Sequence, residues 1–487
     1  MNIKDKNFRS IFLSGLRWSA LKRFGQAFLS IIVIIIMARL LDPSDFGLVA
    51  MATVFTGISN VFTELGTGEA LIRKKNPTNN FISSIFWLNT SLAIFVCLIL
   101  SAIASSAANL YGQDVVEILI YVLSIEIFLS GINRVSHALL EKNMRFKAIA
   151  FAQIVSQICG ATIGITMAFL GYGLWSLVFL GISSQLVYTI IVNLSLRWMP
   201  SATFNFDHIK SIFSFSSYLT LVKILDHIQR RSEIFIVVYL MGSHLGGVYS
   251  QSHNLLRKPV KLIGGFMAPV LFSTMSSLTE DIERIKSLYL KSTQSFAMIY
   301  IPISTILVLY SEPFVLFILG EKWFEMAQIM PVFGIMLLFA SMHKCNTIAL
   351  KSVGRVDLLF RMYIVFVIAS ILGCVIGAQF GIFWVAVSIL ITTFFLFLAS
   401  TSISIKVIQI KFLVYFEQIS TLVAYGLLML FSGYILNIFL SGYLESSNIL
   451  SGILGFLVCS FVYISALYIK PVPSWNYFIE LLNIKKL

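Results

Sequence analysis

The sequence is poor in charged residues and in residues that interrupt helices. Charged residues make up 12% of the 487 residues, whereas soluble domains have about 25%. Hydrophobic residues make up 58%, a share that leaves too little polar surface for a water-soluble fold. The chain has 10 prolines and no serine- or proline-rich linker that would mark a separate soluble domain. We therefore expect a single membrane domain.

The groups on which enzymes, pumps and metalloproteins depend are also missing. The five cysteines lie singly with no CxxC pair, and His227, His253 and His343 lack metal-ligand spacing. We find no Walker-type phosphate loop and no set of nucleophile, base and oxyanion donors. These absences predict no metal, no cofactor and no enzymatic activity. They leave an ion gradient or the substrate gradient as the source of energy.

What the sequence does contain is a series of apolar stretches, each long enough to cross a hydrocarbon core of about 30 Å as a helix. They predict an all-α polytopic membrane protein of about fourteen transmembrane helices. The expected spans are 14–38, 44–66, 81–108, 114–139, 147–170, 172–196, 210–240, 244–275, 288–310, 323–350, 356–378, 380–404, 412–438 and 447–470.

The basic residues report topology. The net charge of +13 is distributed over alternate connections between the spans and is not gathered on a polar domain. By the positive-inside rule, both termini of this multi-pass protein are cytoplasmic. The charge therefore does not indicate nucleic-acid binding.

Two pairs of similar short strings, which we call echoes, predict an internal repeat. The matched strings are DFGLVA (Asp45–Ala50) with LGGVYS (Leu245–Ser250), and GLWSLV (Gly173–Val178) with GIFWVAV (Gly381–Val387). Repeats of six helices keep the same orientation about an axis along the membrane normal. The expected parts are an N-terminal lobe at 1–200, a C-terminal lobe at 201–405 and two added helices at 406–487. Shared helix-start chemistry is the alternative explanation of the echoes.

Ionisable residues lie inside the seventh and eighth spans, where lipid would penalise them. One face of the seventh span carries residues spaced by three, four and three: Lys223, Asp226, Arg230 and Glu233, with Arg231 beside them. The eighth span has four-residue spacing in His253, Arg257 and Lys261, with Lys258 adjacent. Such groups line a cavity or pair with one another, because each costs several kcal/mol when it faces lipid.

The two spans together hold six lysines and arginines against two acids, so pairing cannot neutralise them all. A water-filled cavity with excess positive potential attracts an anion such as a pyrophosphate, which guanidinium groups bind through paired hydrogen bonds. This makes Lys223, Arg230, Arg231, Arg257, Lys258 and Lys261 candidate substrate-binding residues. The alternative is that Arg257, Lys258 and Lys261 sit at a shallow or broken helix end and contact solvent or headgroups.

The first half supplies further polar groups. Glu126 shares a face of the fourth span with Asn133 and His137, and Glu64 closes the second span. Glu126 lies near the expected midplane, where a lone carboxylate either takes part in ion coupling or permanently pairs with a cation. Asp226, Glu233 and Glu64 are the other candidates for coupling or charge pairing.

From about residue 14 to about residue 405 the sequence resembles the Wzx-type polysaccharide flippases, in the multidrug/oligosaccharidyl-lipid/polysaccharide exporter superfamily, and especially its colanic-acid-exporter-like branch. The strings that carry the resemblance are ARLLDPSDFGLVAMA (Ala38–Ala52), ELGTGEALIRKK (Glu64–Lys75), GGVYSQSHNLLRKPV (Gly246–Val260), FSTMSSLTEDIERIKSLY (Phe272–Tyr289), LGEKW (Leu319–Trp323) and ALKSVGRVDLLF (Ala349–Phe360).

This resemblance implies two six-helix lobes with two extra helices, enclosing a cationic central cavity in the bacterial inner membrane. The implied cargo is an undecaprenyl-pyrophosphate-linked oligosaccharide repeat unit, moved to the periplasmic leaflet for O-antigen, capsule or exopolysaccharide assembly. Implied partners are membrane lipid, a polysaccharide polymerase and a chain-length regulator.

Three rival functions remain open at this point. A drug/cation antiporter of the same superfamily would favour an acidic cavity, which the basic excess opposes. A membrane-embedded polymerase or ligase normally needs a substantial periplasmic loop, which the short connections oppose. A lipid II flippase of peptidoglycan synthesis is physically very similar.

Overall fold

The computed structural model describes residues 3–63, 67–205, 217–278, 281–441 and 449–475. Within these ranges the chain forms helices and contains no strand. The helices of the first part are α1 (Ile3–Leu40), α2 (Pro43–Thr63), α3 (Thr67–Arg73), α4 (Asn79–Tyr111), α5 (Val115–Lys142), α6 (Phe146–Phe169) and α7 (Trp175–Leu196). The later helices are α8 (Ser217–Ser277), α9 (Ile282–Leu319), a 3₁₀ turn (Glu321–Trp323), α10 (Phe324–Ser352), α11 (Val356–Ala378), α12 (Ile382–Ile408), α13 (Phe412–Ser441) and α14 (Ile449–Ile469).

These helices confirm the all-α polytopic class. In the described ranges, 12 segments are long and apolar enough to cross a membrane. One of them, Ile224–Gly265 within α8, has 42 residues and a helical length of about 63 Å, twice the hydrocarbon thickness. Gly242 breaks it with φ 82° and ψ −179°, a conformation that only glycine adopts readily. This break falls between the expected seventh and eighth spans, whereas the total of about fourteen spans stays a prediction.

The structure adds one helix that periodicity does not predict. The short α3 follows α2, in a region where the sequence suggests only a loop. The Thr67 hydroxyl donates to Asn89 Oδ1 at 3.1 Å, and Lys142 Nζ donates to the Leu71 carbonyl oxygen at 2.9 Å. These long-range bonds to α4 and α5 stabilise seven residues that are too few to form a helix alone.

The chain divides into two compact units, Met1–Gly247 and Val248–Leu487. The division at 247 lies later in the chain than the lobe boundary at 200 that the repeat predicts, and the three-part organisation stays a prediction. In the first unit the α4 face that packs on α5 is built from small and branched side chains at three- and four-residue spacing. These are Ala93, Val96, Leu100, Ala104 and Ala107.

In the second unit the ring of Tyr310 occupies space that two glycines leave open. A Cβ at Gly455 of α14 would overlap the Tyr310 ring, and the Tyr310 hydroxyl donates to the Gly433 carbonyl oxygen of α13 at 3.0 Å. One buried aromatic residue of α9 thus contacts both C-terminal helices. Close approach through small residues is a common way for helices to associate in lipid.

The first echoed glycine pair makes a reciprocal contact inside the first unit. A Cβ at Gly47 of α2 would overlap the Ser243 carbonyl oxygen of α8, and a Cβ at Gly247 would overlap the Pro43 carbonyl oxygen. Each glycine therefore meets the residue four positions before the other glycine, as expected for equivalent positions about a local two-fold axis. Neither glycine has a positive φ, so the space of the missing side chain is what the crossing requires.

The second echoed pair has a different explanation. Gly173 has φ 52° and precedes α7, and Gly381 has φ 115° and precedes α12. Both positions need a residue that tolerates positive φ at a helix start. Helix-start chemistry alone accounts for this echo, so the repeat is supported mainly by Gly47 and Gly247.

We expect Gly47→Ala and Gly247→Ala each to destabilise the fold by about 1–3 kcal/mol, because an added methyl group meets a backbone oxygen that cannot rotate away. The double variant should lose less than the sum of the two, since one displacement of the helices relieves both overlaps. Thermal unfolding of detergent-solubilised protein measures these effects.

Gly25→Ala is the matched control, because the nearest atom, Ile154 Cδ1, lies 3.6 Å from the added Cβ. It should leave the melting temperature unchanged or raise it slightly, since alanine favours a helix by about 1 kcal/mol over glycine. A melting temperature for Gly47→Ala equal to that of Gly25→Ala would contradict the crossing.

Candidate functional site

The charged face of α8 before Gly242 contains an ion pair. The Arg230 guanidinium pairs with the Asp226 carboxylate one turn earlier, and Arg230 Nε also donates to the Asp226 carbonyl oxygen at 2.9 Å. About a third of each side chain remains accessible, at 30% for Arg230 and 33% for Asp226. The pair thus lowers the cost of placing both charges in a membrane helix and leaves part of the guanidinium exposed.

The next turn buries a second carboxylate. Glu233 is 1% exposed, and the Gln229 side-chain amide donates to its Oε1. Gln229 itself is 6% exposed, so this bond lies in the interior. The Glu233 carboxylate is therefore an interior hydrogen-bond acceptor.

Arg231 turns to the neighbouring helix α2. A Cβ at Gly57 of α2 would overlap the Arg231 guanidinium, so this group lies directly against the Gly57 backbone. Thr56, beside Gly57, is buried. Gly57 is a site residue that the sequence analysis missed, and its signal was a glycine in the middle of an apolar helix that has no positive φ to require it.

After Gly242, the second basic group lies inside a helix that continues to Ser277. The helix therefore does not end at Arg257, Lys258 and Lys261, whereas the alternative that they lie at a shallow position and contact solvent or headgroups stays open. Arg257 and Lys258 are partly buried and Lys261 is exposed. Pro259, between them, has no amide hydrogen for the Leu255 carbonyl, a local weakness typical of functional membrane helices.

The structure adds a fourth cation, from α10, to the part of α8 that follows Gly242. Gly264 continues the spacing of Arg257 and Lys261, and a Cβ at Gly264 would overlap Lys344 Nζ of α10. Lys344 therefore reaches the helix face that carries Arg257 and Lys261. We call the lysines and arginines of α8 the basic stripe. The position of Lys344 could not be predicted from the sequence, because a contact between α8 and α10 leaves no trace in local periodicity.

His253 has a packing role. It is 7% exposed, and its ring stacks on Tyr249 at a centroid distance of 6.3 Å and contacts Phe333 edge-on at 6.4 Å. The four-residue spacing correctly places it on α8 with Arg257, but most of its ring is interior. The cations of α8 after Gly242 therefore begin at Arg257.

Among the remaining candidates, Glu126 lies on α5 with its carboxylate against Gly181 of α7, where a Cβ would overlap Oε1. Lys223 lies in α8, but its side chain is outside the described part of the structure. Glu64 is outside the described residues. The described side chains thus form three local groups: the Asp226–Arg231 turns, the Arg257–Lys261 turns with Lys344, and the α5–α7 contact at Glu126.

Residues 36–328 match the protein family described as "Polysaccharide biosynthesis protein". The chain belongs to this family. Its membership confirms the resemblance that the sequence strings indicate. The succinoglycan biosynthesis transport protein ExoT of Rhizobium meliloti is 27% identical over 372 residues, which cover 75% of this chain and 74% of ExoT. The lipopolysaccharide biosynthesis protein WzxC of Escherichia coli is 22% identical over 385 residues, covering 78% and 76% respectively.

Solved structures share the fold of this family member. The lipid II flippase MurJ in an inward closed conformation has a TM-score of 0.70 at 15% identity and covers 96% of this chain and 100% of its own. An inward-facing multidrug resistance MATE transporter has a TM-score of 0.65 at 15% identity and covers 80% and 98%. At these identities the likeness shows a common all-α membrane fold.

We expect a double-mutant cycle to find coupling between Asp226 and Arg230. Asp226→Asn and Arg230→Gln should each lower the melting temperature of this polysaccharide biosynthesis family member, because each leaves the opposite charge less compensated in a membrane helix. The double variant should recover part of the loss, with a coupling energy of about 0.5–3 kcal/mol. Melting temperatures that simply add would show that the two side chains do not interact.

Proposed function

We propose that this protein is a flippase that moves undecaprenyl-pyrophosphate-linked oligosaccharide repeat units from the cytoplasmic to the periplasmic leaflet, for O-antigen, capsule or exopolysaccharide assembly. The observation that carries the proposal is the charge of α8. Its membrane segment Ile224–Gly265 contains five lysines and arginines but two carboxylates. That excess favours an anionic headgroup.

Recognition of the headgroup rests on guanidinium chemistry. Arginine presents several N–H donors in a planar fork that matches two phosphate oxygens at once, and it keeps its charge in a membrane. We assign Arg230, Arg231 and Arg257 to direct phosphate contacts in the course of transport. Lysines 223, 258 and 261 add positive charge without the fork geometry.

The lipid tail and the sugar have opposite requirements. Moving a polar headgroup through hydrocarbon without replacement of its hydrogen bonds costs many kcal/mol, whereas the prenyl chain is stable in lipid. The protein therefore shields the pyrophosphate and sugar while the chain remains in the bilayer. Alternating access between the two leaflets provides this, and transporters built from repeats commonly use it.

Relatives and fold support the same class of function. ExoT is named as a transport protein of succinoglycan biosynthesis, and the MurJ fold neighbour is named as a lipid II flippase. We infer a bacterial inner-membrane location with both termini cytoplasmic, and a transporter in place of an enzyme. A polysaccharide polymerase and a chain-length regulator are the partners that would consume the translocated units.

The test uses purified protein in liposomes that contain a labelled undecaprenyl-pyrophosphate oligosaccharide and a membrane-impermeant glycosidase outside. Wild-type protein should expose the inner-leaflet pool to cleavage. Arg230→Ala and Arg257→Ala should slow this exposure by about thirtyfold or more, because loss of a charged hydrogen-bonding partner costs about 2–5 kcal/mol.

Arg284→Ala is the matched control, since Arg284 is 73% exposed and pairs with Asp281 outside the basic stripe. It should flip substrate at the wild-type rate. Cleavage at the protein-free level with wild-type protein, across several oligosaccharides, would overturn the flippase assignment and direct attention to drug efflux. Wild-type rates in both stripe variants would remove those arginines from the mechanism.

A further inference from the structure

Glu126 differs from Asp226 and Glu233, the other candidate coupling residues whose side chains the structure describes. Asp226 pairs with Arg230, and Glu233 accepts a hydrogen bond from Gln229. In the described part of the chain, no side chain or backbone group donates to the Glu126 carboxylate. It lies twelfth in the 28 residues of α5, far from either end of the helix.

The space around Glu126 is shaped for its carboxyl group. Because Gly181 of α7 has no side chain, the Glu126 carboxylate lies close to its Cα. Any larger residue would place a Cβ on Glu126 Oε1. Glu126 is partly buried, and the Cα–H group that its carboxylate meets provides almost no stabilisation for a full negative charge. The neutral acid is therefore the form that this contact accommodates, and the charged form needs water or a cation from outside the contact.

A seam of hydrogen bonds joins α5 and α7 beyond this point. Asn133 Nδ2 donates to Thr189 Oγ1 at 2.8 Å, and the Ser136 hydroxyl donates to Asn193 Oδ1 at 2.6 Å. Further along, Tyr188 OH and His137 Nδ1 lie 2.6 Å apart. On α5 the three residues follow one another towards the C-terminal end, which the positive-inside rule places at the cytoplasm, and their partners lie within residues 188–193 of α7.

The seam ends at an accessible acid. His137 Nε2 lies 3.8 Å from Glu141 Oε2, and the Glu141 side chain is 47% exposed. On α5, residues 126, 133 and 137 are separated by seven and four positions, so they share one face. A titratable pair at the helix end and a carboxyl group near its middle thus lie on one face of α5, and the α5–α7 hydrogen bonds lie between residue 133 and that pair.

The surrounding charges do not neutralise Glu126. Titratable side chains occur on α5 itself and on the helices that pack near it: Glu117, Tyr121, Arg134, His137, Glu141 and Lys142 on α5, Asp45 on α2, Cys97 and Tyr111 on α4, Lys147 and Cys159 on α6, Tyr188 on α7, and Asp226, His227, Arg230, Arg231, Glu233 and His244 on α8. None of these described groups forms a hydrogen bond or ion pair with Glu126. Glu117 accepts from Tyr121 at 2.8 Å, and Glu141 lies at His137.

We propose that Glu126 is a proton-binding site, closed by Gly181 and loaded along the α5–α7 seam, and that its protonation is coupled to transport. The coupling part rests on the proposed flippase function, whereas the proton site does not. Uptake forms one O–H bond on the carboxylate, and release returns that proton to water when the site opens. The cationic stripe of α8 binds the cargo, and Glu126 binds the proton at a separate position in the first unit.

The proton site is tested without any substrate. Infrared difference spectra of purified protein in lipid nanodiscs, recorded across a pH titration, should contain a carbonyl band from a protonated carboxylic acid that disappears in Glu126→Gln. Gly181→Ala should shift the pH at which that band appears, because the added methyl group displaces the carboxyl group. Glu117→Gln on the same helix is the matched control and should retain the band.

Coupling is tested in the glycosidase liposomes with an imposed pH gradient. Wild-type flipping should respond to the gradient, and Glu126→Gln should flip at one rate whatever the gradient. Glu117→Gln should respond as wild type does. The proton site is wrong if the band persists in Glu126→Gln, and the coupling is wrong if that variant keeps the full response. Loss of the band with no flipping by wild-type protein would instead keep the proton site and overturn the flippase function.

Discussion

The cost of an uncompensated charge in hydrocarbon is the constraint on which the rest of this structure depends. A charged group inside a membrane helix needs a partner, a water-filled surface or a bound counter-ion, because lipid offers no hydrogen bond. The protein answers this need locally with the Asp226–Arg230 pair and with the Gln229–Glu233 bond. The lysines and arginines of the α8 membrane segment Ile224–Gly265 outnumber its carboxylates, so a positive excess remains on α8, and the proposed anion recognition rests on that excess.

Glycines recur at the contacts between helices, where the missing side chain leaves room for a group of the neighbouring helix. Arg231 lies against Gly57, Lys344 against Gly264, and Glu126 against Gly181. In each case the polar end of a side chain on one helix contacts a glycine of a neighbouring helix. The same property lets α2 and α8 cross at Gly47 and Gly247. Small residues thus serve both helix packing and the placement of charge inside the membrane, where backbone approach replaces the solvent that a soluble protein would use.

The sequence predicted the elements well because lipid imposes a simple rule on length and hydropathy. The expected span 356–378 coincides with α11 (Val356–Ala378), and Gly242 separates the spans expected at 210–240 and 244–275. The charged stripe was also visible, since helical spacing alone brings Asp226 and Arg230 together. The family resemblance rested on the order of recognisable sequence strings and not on a physical argument. The family match over residues 36–328 confirms it.

Contacts between helices could not be predicted in the same way. Periodicity gave no reason to expect α3, which depends on Asn89 and Lys142 from distant helices. It also gave no reason to place Lys344 beside Gly264, or to separate Glu126 from the paired carboxylates. These features depend on which faces meet, and a single sequence records the faces of each helix but not their neighbours.

The central claim is that the cations of α8 recognise a pyrophosphate headgroup on a prenyl lipid. Native mass spectrometry of the purified protein, with equimolar undecaprenyl pyrophosphate and undecaprenol in competition, tests this most directly. The account predicts binding that favours the pyrophosphate lipid and a loss of that preference when Arg230 and Arg257 are both replaced by glutamine. Equal binding of the two lipids by the wild-type protein would contradict it.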